Sequence, residues 1–133
     1  HIDHVLRADH SGWPFRSDFN EFTISVLIAY PVAAFVFFTR GRHWLKFGMM
    51  VAVYIATQAA HIFIETPVAQ YSTWALNAST DIDTLGQPNL LNIASPFLGW
   101  VAVIISIGLS VAMLTVIYNL FLDARLARLS KLR

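Results

Sequence analysis

Cysteine is absent from this chain of 133 residues. That excludes disulfides, iron–sulfur clusters, thiolate zinc sites and covalently attached c-type haem, all of which need the sulfur. Charge is scarce as well, at 13% of residues, where a soluble domain carries roughly 25%. Also missing are a P-loop, a nucleophile elbow, a zinc-protease motif and a glycine-rich nucleotide fingerprint, so no complete catalytic set is visible. The first twenty residues are polar and mixed in charge, without the apolar centre of a cleavable signal peptide, and the chain opens on His1 rather than Met.

What is present in excess is apolar sequence. Hydrophobic residues make up 56% and the mean hydropathy is +0.57. The apolar residues gather in three runs, 22–39, 44–66 and 96–122. A helix needs about 20 apolar residues to cross the hydrocarbon core, with a range of roughly 17–25. Only helices or closed barrels satisfy their backbone in lipid, and long runs without alternation are helices. The expectation is an all-α integral membrane protein, a single membrane domain with three transmembrane helices.

Each run has its own grammar. The first holds Pro31, which removes one backbone hydrogen bond near Leu27 and favours a kink. The second carries Lys46, which can snorkel to the nearby surface. The third starts at Ser95-Pro96, a capping side chain followed by a ring with preset φ. Residues 40–43 read as a tight turn, and residues 67–95 as a longer polar loop. The final residues, 123–133, continue the third helix as a basic tail with Leu122, Leu126, Leu129 and Leu132 near one face, suited to anionic lipid.

The charges give an orientation. Arg40, Arg42, Lys46, Arg125, Arg128, Lys131 and Arg133 fall on one side, with Asp123 the single acid there. Arg7 and Arg16 fall on the other, among Asp3, Asp9, Asp18, Glu21, Glu65, Asp81 and Asp83. Counting basic residues in short flanks places the amino terminus and the 67–95 loop outside, and the short turn and the tail in the cytoplasm. Trp13 and Trp100 outside, with Trp44 and Tyr118 inside, fit aromatic belts at the two interfaces. The location expected is a bacterial inner membrane or an equivalent energy-converting membrane.

The second run is not uniformly apolar. Tyr54, Gln58, His61 and Glu65 are spaced by four, three and four, which is one helical stripe. With Tyr54 central, His61 lies about 10 Å toward the outside at 1.5 Å per residue. Polar residues at that depth face protein or water rather than lipid. His61 reads as a neutral hydrogen-bonding residue held by Gln58, Glu65 and a neighbouring helix. The alternatives are an axial ligand to haem or a chlorophyll-type pigment, with Thr57, Ala59 and Ala60 leaving space for a flat ring, and a role in a proton path or an external metal site.

Outside the spans, HIDHVLRADH holds His1, His4 and His10 with two aspartates. Imidazoles and carboxylates are the usual ligands of copper, zinc or iron when thiolate is missing, and an amino-terminal histidine chelates copper through its amine and ring together. The competing readings are an amphipathic lead-in with Val5 and Leu6 on the membrane surface, and an interface with another subunit. Residues 81–89, DIDTLGQPN, match a calcium loop poorly and read as a turn. Asn77-Ala78-Ser79 is a formal glycosylation sequon.

The third run carries small residues at Gly99, Ala102, Ser106 and Ser110, with Gly108 and Ala112 on another face. Small residues four apart let membrane helices approach closely. Two such faces exceed what three helices need among themselves. Gln58, His61, Glu65, Gly99, Ala102, Ser106 and Ser110 are therefore the expected partner interface. The function expected is an accessory subunit of a larger membrane complex, an energy-converting or oxidoreductase assembly, packed on other integral membrane subunits. Two alternatives stand beside it: a redox subunit binding haem, a chlorophyll-type pigment or copper, and a homo-oligomeric channel or transporter using the Tyr54–Glu65 stripe. Nucleic acid is not an expected partner.

Overall fold

The computed structural model describes residues 3, 6, 21–63, 66–80 and 85–130. Among these residues the protein is all-helical: α1 (Glu21–Phe38), α2 (His43–Phe63), α3 (Pro67–Ala75) and α4 (Pro96–Ser130), with no strand. Two helices are long and apolar enough to cross a membrane. These are α2, with mean hydropathy 1.2, and α4, with mean hydropathy 2.5. The described apolar part of α1, Thr23–Phe38, is shorter. At 1.5 Å per residue it rises about 24 Å, against a hydrocarbon core of about 30 Å. Pro31 lies inside α1, which continues as one helix through it.

α1 and α2 form the expected hairpin. Gly41 and Arg42 take positive φ (70° and 51°) to reverse the chain. Lys46 departs from its expected role. It is only 8% exposed, and Nζ donates to the Thr39 carbonyl at 2.5 Å rather than snorkelling to solvent. The cause is the end of α1: its last carbonyls lack helical partners, and a cation there also meets the negative end of the helix dipole. α1 leans on α2 over a small contact, and Val36 is its only buried residue among those whose burial is described.

α4 is the spine. It runs antiparallel to α2, pairing Tyr54 with Ser110 in one half and Trp44 with Phe121 in the other. Trp44, Phe47 and Phe121 form a triangle with centroids 5.7–6.1 Å apart, and the Arg125 guanidinium stands 5.8 Å from the Phe121 ring centroid. Edge-to-face aromatic contacts and a cation over a ring are both favourable geometries. Helix α4 continues unbroken to Ser130, so the basic tail is its last turns as expected. Lys131 and Arg133 lie outside the described residues.

Residues 67–75 differ from the expected loop: they form α3. Thr66 caps it, its Oγ1 accepting from the Ala69 N–H at 3.2 Å, and Pro67 occupies its first turn. The same grammar starts α4, where Ser95 Oγ accepts from the Leu98 N–H at 3.4 Å. Tyr71 of α3 meets Trp100 of α4 in a tilted ring contact, with centroids 5.3 Å apart and the planes at 58°. Residues 76–95 return the chain, tied by Ser95 N–H to the Trp74 carbonyl and by Ser79 N–H to the Gln87 carbonyl. Gly86, at φ 77°, makes the turn expected within 81–89; residues 81–84 lie outside the described set.

Asn89 holds this return together. Its amide donates to the carbonyls of Thr73 and Ile93 and accepts from the Ile93 N–H. The sequon asparagine is part of the same lock. Asn77 sits at φ 54°, donates to Asn92 Oδ1 at 2.6 Å and accepts from the Asn89 N–H, while Ser79 is 3% exposed. These contacts give Asn77 a turn-forming role. The amino-terminal lead-in touches the same region: Asp3 Oδ1 accepts from Trp74 Nε1 at 2.7 Å, and the Leu6 carbonyl accepts from the Leu90 N–H. Leu6 is half-buried there.

The distribution of polarity is inverted relative to a water-soluble protein. Among the described residues, the buried apolar ones are Val36, Trp74, Ala75, Val103, Leu120 and Ala124, and the buried polar or charged ones are equally many: Lys46, Gln70, Ser72, Thr73, Ser79 and Asn89. Phe37, Phe38, Phe63, Phe97, Ile104 and Ile105 are all more than 60% exposed. Thr57, Thr73 and Thr115 within the helices, and Thr39 just past α1, each donate the hydroxyl to the carbonyl four residues back, a local bond that satisfies the group without an outside partner.

Candidate functional site

The polar stripe of α2 faces α3 and α4. Tyr54 Oη and Ser110 Oγ lie 3.2 Å apart and share a hydrogen bond. One turn or two further on, Gln58 and His61 meet Ser106 and Ser110 around a cleft of about 190 Å³. Pro67 and Gln70 of α3 close its outer end, and Val103, Ile107 and Val111 of α4 form its apolar wall. The expected site residues therefore divide. Gln58, His61, Ser106 and Ser110 come together at the cleft. Gly99 belongs to a different contact, against Tyr71. Ala102 is half-buried in α4. Glu65 lies outside the described residues, as do His1, His4 and His10. Among the described residues no group of three or more His, Asp or Glu side chains could hold a metal ion.

His61 is held by a residue that the stripe alone does not suggest. Its Nδ1 lies 3.2 Å from Nε2 of Gln70. The two side chains share a hydrogen bond whose direction follows the imidazole tautomer: the Gln70 amide can donate to a bare Nδ1 or accept from Nδ1–H. Gln70 is 3% exposed, and its Oε1 is buried with no hydrogen-bond partner, alone in that respect among the described side chains. Thr66-Pro67 was the available sequence signal for Gln70, because a capped helix start there puts residue 70 one turn inside α3.

Gly99 explains how α3 gets close enough to do this. A Cβ at position 99 would stand 2.8 Å from Tyr71 Cδ2 and 2.9 Å from the Tyr71 carbonyl oxygen. Backbone thus meets backbone at the α3–α4 crossing, as small residues allow. Gly108 is different: no atom lies within 4 Å of where its Cβ would be. One small-residue face of α4 is filled by this chain itself and the other is open.

The Tyr54–Ser110 bond gives a direct measurement of how strongly α2 and α4 are tied. Tyr54→Phe is expected to cost only about 0.6 kcal/mol, the average for interhelical hydrogen bonds in membrane proteins. Reversible unfolding in mixed detergent–lipid micelles reads this out, and Ser110→Ala should show no further loss once Tyr54 is Phe. A loss above about 2 kcal/mol, outside that range, would mean the hydroxyl supports more than this one contact.

No protein-family model matches the chain, and no curated protein or solved structure is significantly similar to it.

Proposed function

We propose that this chain is a membrane-embedded accessory subunit that packs on other integral membrane subunits. In this reading α1, α2 and α4 all span the bilayer. The amino terminus, α3 and residues 76–95 lie outside, and the 40–43 turn and the end of α4 lie in the cytoplasm. The observation that carries it is the distribution of polarity: large apolar side chains cover the outside, while half of the buried residues named above are polar or charged. Such a surface is at home in hydrocarbon or against other membrane helices. α1 adds to the argument for a neighbour, since its apolar part is short and its contact with α2 is small. The open face at Gly108 and Ala112 is where such a neighbour fits. An energy-converting or oxidoreductase assembly in a bacterial inner membrane, or its equivalent, is the setting that suits a subunit with polar groups at this depth and no catalytic set.

The absence of native cysteine makes the orientation directly testable. Thr80→Cys is expected to react with an impermeant maleimide added outside intact cells, and Ser130→Cys only after permeabilisation. The reverse pattern overturns the orientation. For the partner, a photo-crosslinking side chain at position 108 is expected to capture a discrete second protein in native membranes. Adducts to lipid alone, with a lone monomer on mild extraction, would overturn the subunit reading.

His61 supports a second reading, a cofactor-binding redox subunit, because Gln70 fixes the ring of an imidazole, and neutral imidazole is a common metal ligand. An optical spectrum and metal analysis of protein from native membranes test it: neither pigment absorbance nor stoichiometric haem, chlorophyll-type pigment or copper would reject it.

A further inference from the structure

We propose that the step between the 40–43 turn and the overhanging end of α4 binds the phosphodiester headgroup of an anionic phospholipid. The proposal rests on the bilayer placement given above, which puts this end of the bundle at the cytoplasmic leaflet.

The step comes from a difference in length. The hairpin reverses through Gly41 and Arg42, immediately before α2. α4 meets the start of α2 where Phe121 touches Trp44, with ring centroids 6.1 Å apart, and then runs on to Ser130. That is about 13 Å of further helix at 1.5 Å per residue. Helical spacing turns its charges back over the turn. Arg125 and Arg128 follow Phe121 by four and seven residues, which keeps them on its face. Ala124, fully buried, marks that face as the one against the bundle, and the Arg125 guanidinium stands 5.8 Å from the Phe121 ring centroid. Asp123, the single acid at this end, lies on the far side of α4, roughly 200° round the helix from Phe121. Arg40 and Arg42 join from the turn, and all four arginines are exposed.

Four guanidiniums around one step call for an anion. Guanidinium pairs phosphate oxygens two at a time, whereas Lys46 is already committed to the Thr39 carbonyl. The start of α2 adds to the attraction. Its first turn holds no acid, and Arg42 before it has a side chain that cannot accept a hydrogen bond. Neither caps the first N–H groups of α2, which point to this end together with the positive end of the helix dipole. The surface beneath selects a lipid over a soluble anion. Trp44 and Leu45 are each 48% exposed and Tyr118 is 61% exposed, so aromatic and apolar surface begins directly below the charges. A phosphate carrying acyl chains meets both levels, and a free phosphate meets only the upper one. Basic pockets between membrane helices on the cytoplasmic side suit such headgroups.

The test uses the full chain in neutral detergent micelles, titrated with dioleoylphosphatidylglycerol or dioleoylphosphatidylcholine, and native mass spectrometry counts the lipid retained. The expected result is a single phosphatidylglycerol per chain, held about tenfold or more tightly than phosphatidylcholine, the size that charge-assisted hydrogen bonds imply. Arg42→Gln combined with Arg125→Gln, both at exposed positions, is expected to abolish that preference. Arg7→Gln combined with Arg16→Gln removes the same charge from the other side and is expected to leave it unchanged. Equal retention of the two lipids overturns the proposal, and so does an equal loss in the two double variants, which would mean diffuse charge. Displacement of the lipid by an equal concentration of glycerol phosphate assigns the step to soluble phosphates and overturns the lipid. The bilayer placement fails separately, because micelles impose no orientation. Selective binding with the reversed maleimide pattern at Thr80→Cys and Ser130→Cys brings down the orientation, and the expected pattern without selective binding brings down the site.

Discussion

Asn89→Leu is expected to be the most damaging single change in the protein, at about 3–5 kcal/mol. The new side chain keeps the branched four-atom skeleton, so the main loss is of hydrogen bonds. Three backbone groups lose their partner together: the carbonyls of Thr73 and Ile93 and the N–H of Ile93. Asn89 is 2% exposed, so water is poorly placed to replace the amide. Asn89→Asp is the informative companion. It keeps the acceptor for Ile93 N–H and loses both donations, and it should fall between Leu and wild type. Reversible unfolding in lipid–detergent micelles measures both variants, and near-ultraviolet circular dichroism reports Trp74, which borders the lock through its carbonyl bond to Ser95. A Leu variant within 1 kcal/mol of wild type, below the usual cost of even one stranded buried group, would show that residues 76–95 are held by something other than this side chain.

The second large effect is expected at Gly99. Gly99→Ala should destabilise by about 1–3 kcal/mol, the usual range for overpacking, although alanine is the better helix former by about 1 kcal/mol. The obstruction has two parts. The Tyr71 ring can rotate away, but the Tyr71 carbonyl at 2.9 Å belongs to the α3 backbone and moves only if α3 moves. Tyr71→Ala should therefore rescue Gly99→Ala only in part, and a double-mutant cycle separates ring from backbone. Gly108→Ala is the matched control, in the same helix with nothing within 4 Å. It should leave the isolated chain as stable or slightly more so. If Gly99→Ala behaved like Gly108→Ala, the close crossing of α3 and α4 would be refuted.

These two positions also show what could be read from the sequence and what could not. The apolar runs gave α2 and α4 nearly to their ends, because hydrophobic length alone specifies a membrane helix. Pro31 did not end α1, and the Thr39–Arg42 reversal appeared where the apolar run stopped. α3 was not foreseen, although Thr66-Pro67 repeats the Ser95-Pro96 pattern that located the start of α4. Its composition hid it: a nine-residue helix burying Gln70, Ser72 and Thr73 has no apolar stripe to follow. Lys46 misled for a related reason, since a lysine near a membrane surface ordinarily reaches for water, and the carbonyl it caps is set by the turn.

The site was legible by half. Helical spacing aligned Tyr54, Gln58 and His61, and small residues marked Ser106 and Ser110 opposite them, yet nothing in α2 or α4 named Gln70. That contact exists only because the chain doubles back after Phe63, and tertiary reversals of this kind have no periodicity. The small-residue face at Gly99 is likewise spent inside the chain, which transfers the case for an outside partner to Gly108.

α3 also imposes a sequence in time. Its nine residues rise about 13 Å at 1.5 Å per residue, and it buries Gln70, Ser72 and Thr73 beside Trp74 and Ala75. A helix so short is marginal without a surface to pack on. Its seat is the groove at Gly99 and its tether is the Ser95–Trp74 bond, both supplied by chain that emerges from the ribosome later, after roughly a few seconds at about 5–20 residues per second. The α3 cap is then the last part of the protein to form, and a nascent chain that stalls before Pro96 leaves it without its seat.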